Sequence, residues 1–325
     1  MMNSKQLNFV LPLFLEALDT TFSKSTQKEL EEFLKSSSIS KWIICSDYAL
    51  GDKQKKNDVM TFSLIPYAAD INEFQTIIKK LSPNDLKKTS AINDDFIKFQ
   101  KELPIFHISF ILNRKRKIEF TNEKEFFKYK TKEAIELLEH WCITTLEHKE
   151  TYQKQIKDLE ALLTELDKKS TNLKVLRDIE IVAVVVAYVM TKMCEAIDID
   201  VLSWFSDRDT LLSYGGDKFS SPLIFTLIRN YFYIMNTQKP HTPKLAFGVP
   251  QKEGAMWYDE ITKLPDFICG VLADYDLSQN LSTHSKFIKL LEDHIASNDK
   301  MKIFKLSFEK EGFRASKIEI IRGEK

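Results

Sequence analysis

Glycine is scarce, with 8 in 325 residues. Neither G-x-G-x-x-G nor G-x-x-x-x-G-K-[ST] occurs, which excludes the two common loops that cradle phosphate on backbone N–H groups. No excess of charge exists in either sign, because 47 Lys and Arg face 47 Asp and Glu. That balance excludes a generally basic coat for nucleic acid and leaves room only for a local basic patch. Cysteine is thinly spread. Cys45, Cys142, Cys194 and Cys269 each sit in an apolar setting with no C-x-x-C, which predicts buried free thiols in a reducing, cytoplasmic setting. The six histidines lack H-E-x-x-H spacing, and His140, Cys142 and His148 do not read as a dedicated zinc site. Long apolar runs are missing too. The greasiest, Ile179 to Met190, falls short of the roughly 20 residues a bilayer demands and predicts a core helix or a buried strand. At the N-terminus, Leu7 to Leu18 is interrupted by Pro12 and Glu16 and lacks a small-residue cleavage site, so it reads as an amphipathic helix. No membrane role is expected.

What is present is a chain with 43% hydrophobic and 29% charged residues, the composition of a globular protein with an ordinary core. Residues 3–36 read as two helices, the second starting near Ser25-Thr26 with Glu29. The run 42–46 (WIICS) predicts a central strand closed by Asp47, and 59–67 (VMTFSLIPY) a second strand in a hairpin with it. Ile71, Phe74, Ile77, Ile78 and Leu81 form a helical stripe, and 105–112 a third strand. Residues 122–170 are nearly free of Gly and Pro, and Leu159, Leu162, Leu163 and Leu166 recur at helical spacing, as in an antiparallel helix pair. A strand at 200–206, a helix at 220–236 and a strand at 244–249 follow. Next come a helix from Pro265 to about Tyr275, another at 284–297, and a terminal hairpin of 301–308 with 316–322. The pattern predicts an α/β chain with a mixed sheet flanked by helices. Its divisions are N-terminal helices at 1–40, a first core part at 41–121, a helical insertion at 122–172, and a second core part at 173–325.

Acidic residues gather at the ends of these elements. Asp47 closes the first strand, and Asp207 closes the strand at 200–206 with Asp209 two residues on. Asp266 follows Pro265, with Asp274 eight residues further. Two parallel neighbouring strands would carry Asp47 and Asp207 to one sheet edge, where open α/β sheets bind ligands. Carboxylates so crowded require a hard cation, Mg²⁺ or Mn²⁺, which suits phosphodiester hydrolysis. Each residue also has a plainer reading. Asp47 and Asp207 are turn formers, and Asp266 would be favoured in the first turn of a helix begun by Pro265. Gly270 costs about 1 kcal/mol in a helix interior and implies close approach of either a packing partner or a ligand. Arg114, Lys115, Arg116 and Lys117 form a basic tetrad after the third strand, readable as a solvated turn or as phosphate contacts. The aromatics Phe225, Tyr231, Phe232 and Tyr233 read as core.

The segment from Leu264 to Gly270 (LPDFICG) resembles the last motif of a large bacterial group of RNase H-like proteins known as a domain of unknown function. Asp47 with its following turn and strand, and Asp207 after Phe205-Ser206, resemble that family's two other acidic positions. The resemblance covers about 42–275 discontinuously, with 122–172 as an elaboration. It implies an RNase H-like sheet and metal-dependent nuclease chemistry of the kind found in mobile elements and antiviral defence. On that reading Asp47, Asp207 and Asp266 are catalytic metal ligands, and Asp209 and Asp274 are reserves. The fourth carboxylate is unassigned, with Glu180 and Glu195 available. The family's first Asp is followed by Glu and soon by Ser-Gly, whereas this chain has Tyr48 and Ala49. That departure, with the neutral charge, motivates an alternative: a non-catalytic adaptor or sensor that binds a protein or a second copy through 122–170.

Overall fold

The structure is a computed structural model, and it describes residues 12–68, 70–236, 242–249 and 253–322. Those residues fall into two compact units. A sheet unit takes those within Glu16–Arg116, Lys192–Arg208 and Lys239–Lys325, and a helical unit those within Met1–Leu15, Lys117–Thr191 and Asp209–Gln238.

The sheet unit is α/β. Its seven-stranded mixed sheet has the order β5-β4-β1-β2-β3-β8-β9, from β1 (Lys41–Ala49), β2 (Asp58–Pro66), β3 (Phe106–Leu112), β4 (Val201–Ser206), β5 (Lys244–Phe247), β8 (Met301–Glu309) and β9 (Gly312–Ile318). A separate two-stranded ribbon pairs β6 (Tyr275–Asp276) with β7 (Leu281–Ser282). β1 runs parallel to β4 and β4 to β5, while β2 is antiparallel to both β1 and β3. The central strands are unbroken apolar runs because helices cover both their faces. Every residue of β3 is buried. On one face lie α1 (Leu13–Ser25) and α2 (Gln27–Lys35), with Phe22 stacked on Phe304 and Phe33 tilted against Phe106. The other face packs Ile43, Cys45, Ile65, Phe205 and Ile303 against α3 (Ile71–Leu81), α4 (Asp94–Glu102) and α10 (Asp259–Asp274).

The sequence pattern holds across most of these elements, with two corrections. α10 starts at Asp259, so Pro265 is internal and Asp266 stands at mid-helix, outside its first turn. A proline there removes one helical hydrogen bond and costs about 3 kcal/mol in an exposed helix. Burial of Ile261, Leu264, Phe267, Ile268, Val271 and Leu272 offsets it. The terminal hairpin starts earlier in its second strand, at Gly312, where φ is +143°. The part of the expected N-terminal helix before residue 12 lies outside the described residues.

In the helical unit, α5 (Glu123–Thr144) and α6 (Lys149–Asp167) pair closely. With them are α8 (Thr210–Ser213), α9 (Leu223–Met235) and most of α7 (Leu173–Ala196). The apolar run Ile179–Met190 is helical and buried throughout. Its core holds a polar trio: Lys130 bonds to both Glu180 and, at 2.5 Å, the Tyr231 hydroxyl, which itself donates to Glu180. All four cysteines are buried, and none forms a disulfide. Among the described residues no helix is long and apolar enough to cross a membrane.

Candidate acidic site at the sheet edge

The register of β1 on β4 decides where the carboxylates fall. Cys45 pairs with Phe205 and Ser46 with Ser206, so the next step sets Asp47 beside Asp207. Asp207 lies just past the end of β4, whereas Asp47 does not close β1, which continues to Ala49 because it stays paired with β2. Adjacent strands run about 4.8 Å apart. Side chains alternate, so Asp47 shares the face of Ile43 and Cys45, which is the face α10 covers. α10 brings Asp266 there, and Cys269, one turn on, meets Asp47. The Cys269 thiol bonds to the Asp47 carboxylate and lies 3.7 Å from the Val59 carbonyl.

The electrostatics follow from this crowding. Asp47 is held well above the usual carboxylate range, first by burial and then by the charges of Asp266 and Asp207, against the Cys269 thiol and the Tyr48 N–H. Asp266 is pushed up to about 6 by burial, with Asp207 and Asp85 adding to the rise and the Leu86 N–H and Lys87 opposing it. Asp207 is exposed at the rim. It too is raised, by the protein around it and then by Asp259 and Asp85, while its own neighbour's N–H (Arg208, 2.6 Å) works the other way. Asp47 and Asp266 therefore feel each other's charge, and both feel that of Asp207.

Asp85 and Asp259 join them, and the sequence reading missed both. A helix beginning at Pro265 leaves Asp259, six residues earlier, outside it. Asp85 follows Pro83-Asn84, a turn signal that announces no chemistry. Its carbonyl starts a 3₁₀ turn at Leu86–Lys88. That turn is what Gly270 accommodates: a Cβ on Gly270 would lie 2.1 Å from Leu86 Cδ2. So the glycine four residues after Asp266 serves packing, and the turn it admits donates the Leu86 N–H to Asp266. Tyr258, 1% exposed, closes the rim, and its hydroxyl has no hydrogen-bond partner. Protein-family models, characterised proteins and solved structures give no match to the chain.

The other expected site residues have different work. Asp274 is taken by its own loop. It accepts from Ser282 Oγ (2.9 Å), the Thr283 N–H and hydroxyl, and His284 Nδ1 (2.7 Å). Burial alone would raise it, and these hydrogen bonds overcome that and bring it to about 2. Asp209 caps α8, accepting from the Leu211 N–H at 3.0 Å. Glu180 is committed to Lys130 and Tyr231, and Glu195 pairs with Lys192 at 3.0 Å. In the basic tetrad Arg116 is 2% exposed, its guanidinium 2.5 Å from Asp58, so it is a buried ion pair and offers nothing to a phosphate. Arg114, Lys115 and Lys117 are exposed, and Arg114 also bonds to the Asp52 carbonyl at 3.0 Å.

Oxygen donors of this kind suit a hard divalent ion, and the raised carboxyls at Asp47 and Asp266 are what an ion of that charge would relieve. Among the described residues, however, no three His, Cys, Asp or Glu stand at metal-holding spacing. Each carboxylate is turned to a local donor: Asp47 to Cys269, Asp266 to Leu86 and Asp207 to Arg208. Charged groups without a counter-ion settle in that way.

Proposed function

We propose that the chain is a metal-dependent phosphodiesterase of RNase H-like type acting on nucleic acid. Support for the fold comes from the order β3-β2-β1-β4-β5, in which β2 alone runs antiparallel. Carboxylates late in β1, just past β4 and on the helix after β5 match the three acidic positions of the family that the sequence resembles. The observation that carries the function is the register placing Asp47 beside Asp207, with Asp266 facing them and all three raised.

Asp47, Asp207 and Asp266 would hold Mg²⁺ or Mn²⁺, with Asp85 and Asp259 as further carboxylates at the rim. Such an ion supplies Lewis acidity toward a phosphoryl oxygen and its attacking water. The chain's own residues supply the rest. The Leu86 N–H and the Cys269 thiol orient Asp266 and Asp47. Exposed Arg208 and Lys87 put positive charge beside the acids, where a phosphate must approach. Arg114 and Lys115 follow β3, which runs parallel to β1 and so ends at the same edge of the sheet.

The test is cleavage of RNA and DNA in Mn²⁺ or Mg²⁺ by the wild type and by Asp47→Asn, Asp207→Asn and Asp266→Asn. Each substitution is expected to lower activity at least about a hundredfold. Cleavage that survives Asp47→Asn undiminished overturns the assignment. The second reading, a non-catalytic relative that binds a protein through the helices of 122–170, draws on the open spacing of the acids and on Tyr48-Ala49. Micromolar Mn²⁺ binding that requires Asp47 would count against it.

A further inference from the structure

Tryptophan is usually hidden when a core is available, and Trp42 and Trp204 are each 1% exposed. Trp257 is 55% exposed. Its ring is nevertheless braced. Phe205 meets it edge-on with centroids 4.9 Å apart, and Tyr258 does so at 5.5 Å. Those two buried rings stack on each other at 4.8 Å. The brace depends on Gly248, where a Cβ would lie 2.4 Å from Phe205 and 2.8 Å from Tyr258. The exposed indole is thus fixed, with its side-chain entropy already spent on folding.

Its position is at the acidic site. Phe205 precedes Asp207 by two residues on the same strand face, and Tyr258 lies close enough to feel the charges of Asp259 and Asp207. Arg208, exposed and adjacent to Asp207, bonds to the Gly254 carbonyl and so ties the segment that carries Trp257 to the end of β4. A rigid aromatic plane, a guanidinium and a carboxylate cluster side by side match the base, the phosphate and the scissile bond of one nucleotide. A base inside a duplex has both faces stacked and cannot use such a plane, whereas an unpaired base can, whatever its identity.

We infer that Trp257 is a stacking platform for an unpaired base, making single-stranded nucleic acid the substrate class of the acidic site. The inference rests on the phosphodiesterase reading for its placement, and the two fail separately.

The experiment uses the full chain. Binding of a fluorescein-labelled dT or U oligonucleotide of about a dozen nucleotides, and of a duplex of equal length, is followed by anisotropy in EDTA. Cleavage of the same molecules is followed in Mn²⁺. The wild type is expected to bind the single strand more tightly than the duplex. Trp257→Ala should weaken single-strand binding about ten- to hundredfold, and Trp257→Tyr should keep most of it. Unchanged single-strand affinity in Trp257→Ala, or equal wild-type affinity for both forms, overturns the platform. Trp257-dependent binding without any cleavage supports the platform and sinks the phosphodiesterase. Cleavage of single strands with equal kcat/KM by wild type and Trp257→Ala does the reverse. Failure of the wild type to bind either form in EDTA overturns the platform, and absence of cleavage in Mn²⁺ overturns the phosphodiesterase.

Discussion

Replacing Asp266 by Asn should stabilise the metal-free protein. The carboxyl rises from the ordinary 3.8 to about 6 on folding, through burial and the charges of Asp207 and Asp85. Its ionised form therefore costs about 3 kcal/mol in the folded state relative to the unfolded chain. The side chain is only partly buried, and the new amide must place its own N–H groups, so a net gain of about 1–2 kcal/mol is expected. Asn Oδ1 can still accept the Leu86 N–H, which keeps the local turn. The pH dependence has a definite sign. The folded pKa is raised, so the contribution of this one carboxyl is fully present below about 3.8 and is lost as pH rises through about 6. The advantage of Asp266→Asn is thus full at pH 8 and shrinks toward zero near pH 4. Urea titrations in EDTA at these two pH values read it as a shift in midpoint at constant slope. Adding Mn²⁺ should reverse the order, because a ligand bound only by the folded wild type stabilises that form alone. An Asp266→Asn protein that is less stable at pH 8, or whose difference from wild type ignores pH, would refute the view that these acids are crowded at a cost.

Gly270→Ala gains about 1 kcal/mol of helix propensity but drives a methyl into buried Leu86, an overpacking that costs about 1–3 kcal/mol, so a net loss near 1 kcal/mol is expected in urea melts. The same change should lower any Mn²⁺-dependent cleavage, since Leu86 belongs to the turn that orients Asp266. Arg116→Met strands Asp58 in the interior and should cost about 3–5 kcal/mol, whereas Lys115→Ala should stay within about 0.5 kcal/mol. His294 is 1% exposed, both its ring nitrogens lack a partner, and burial and then Lys300 and Lys101 lower it to about 4. Its stabilisation is present above about 6.5 and is lost as pH falls toward 4, up to about 3 kcal/mol. His294→Gln should flatten that acid limb, and an unchanged pH profile would show that the group does not titrate there.

The strands of the sheet were legible because they are buried on both faces. The runs within β1, β2, β3 and β4 carry the apolar continuity that only such strands need. One assumption about Asp47 and Asp207, that the strands leading to them lie parallel and adjacent, matches the pairing of β1 with β4. The α10 boundary was not legible. A proline normally marks a helix start, and here tertiary burial overrides that local rule. Misplacing the start concealed Asp259 and gave Asp266 a first-turn explanation it does not have. Charge runs misled for a related reason. Arg114, Lys115, Arg116 and Lys117 look alike in sequence, yet Arg116 goes inside because buried Asp58 needs a partner. Asp274 and Asp209 show the converse: an acidic residue near a site is as often absorbed by a loop or a helix end.

The order of the sheet also bears on synthesis. β1 and β4 are neighbours in space, yet the whole of α5 and α6 is translated between them, and α10 comes later still. A nascent chain emerging at about 5–20 residues per second therefore carries Asp47 long before the ribosome has made Asp207 or Asp266. No fragment ending before α10 can hold Asp47, Asp207 and Asp266 together, so any hydrolytic capacity would have to wait until α10 has been made.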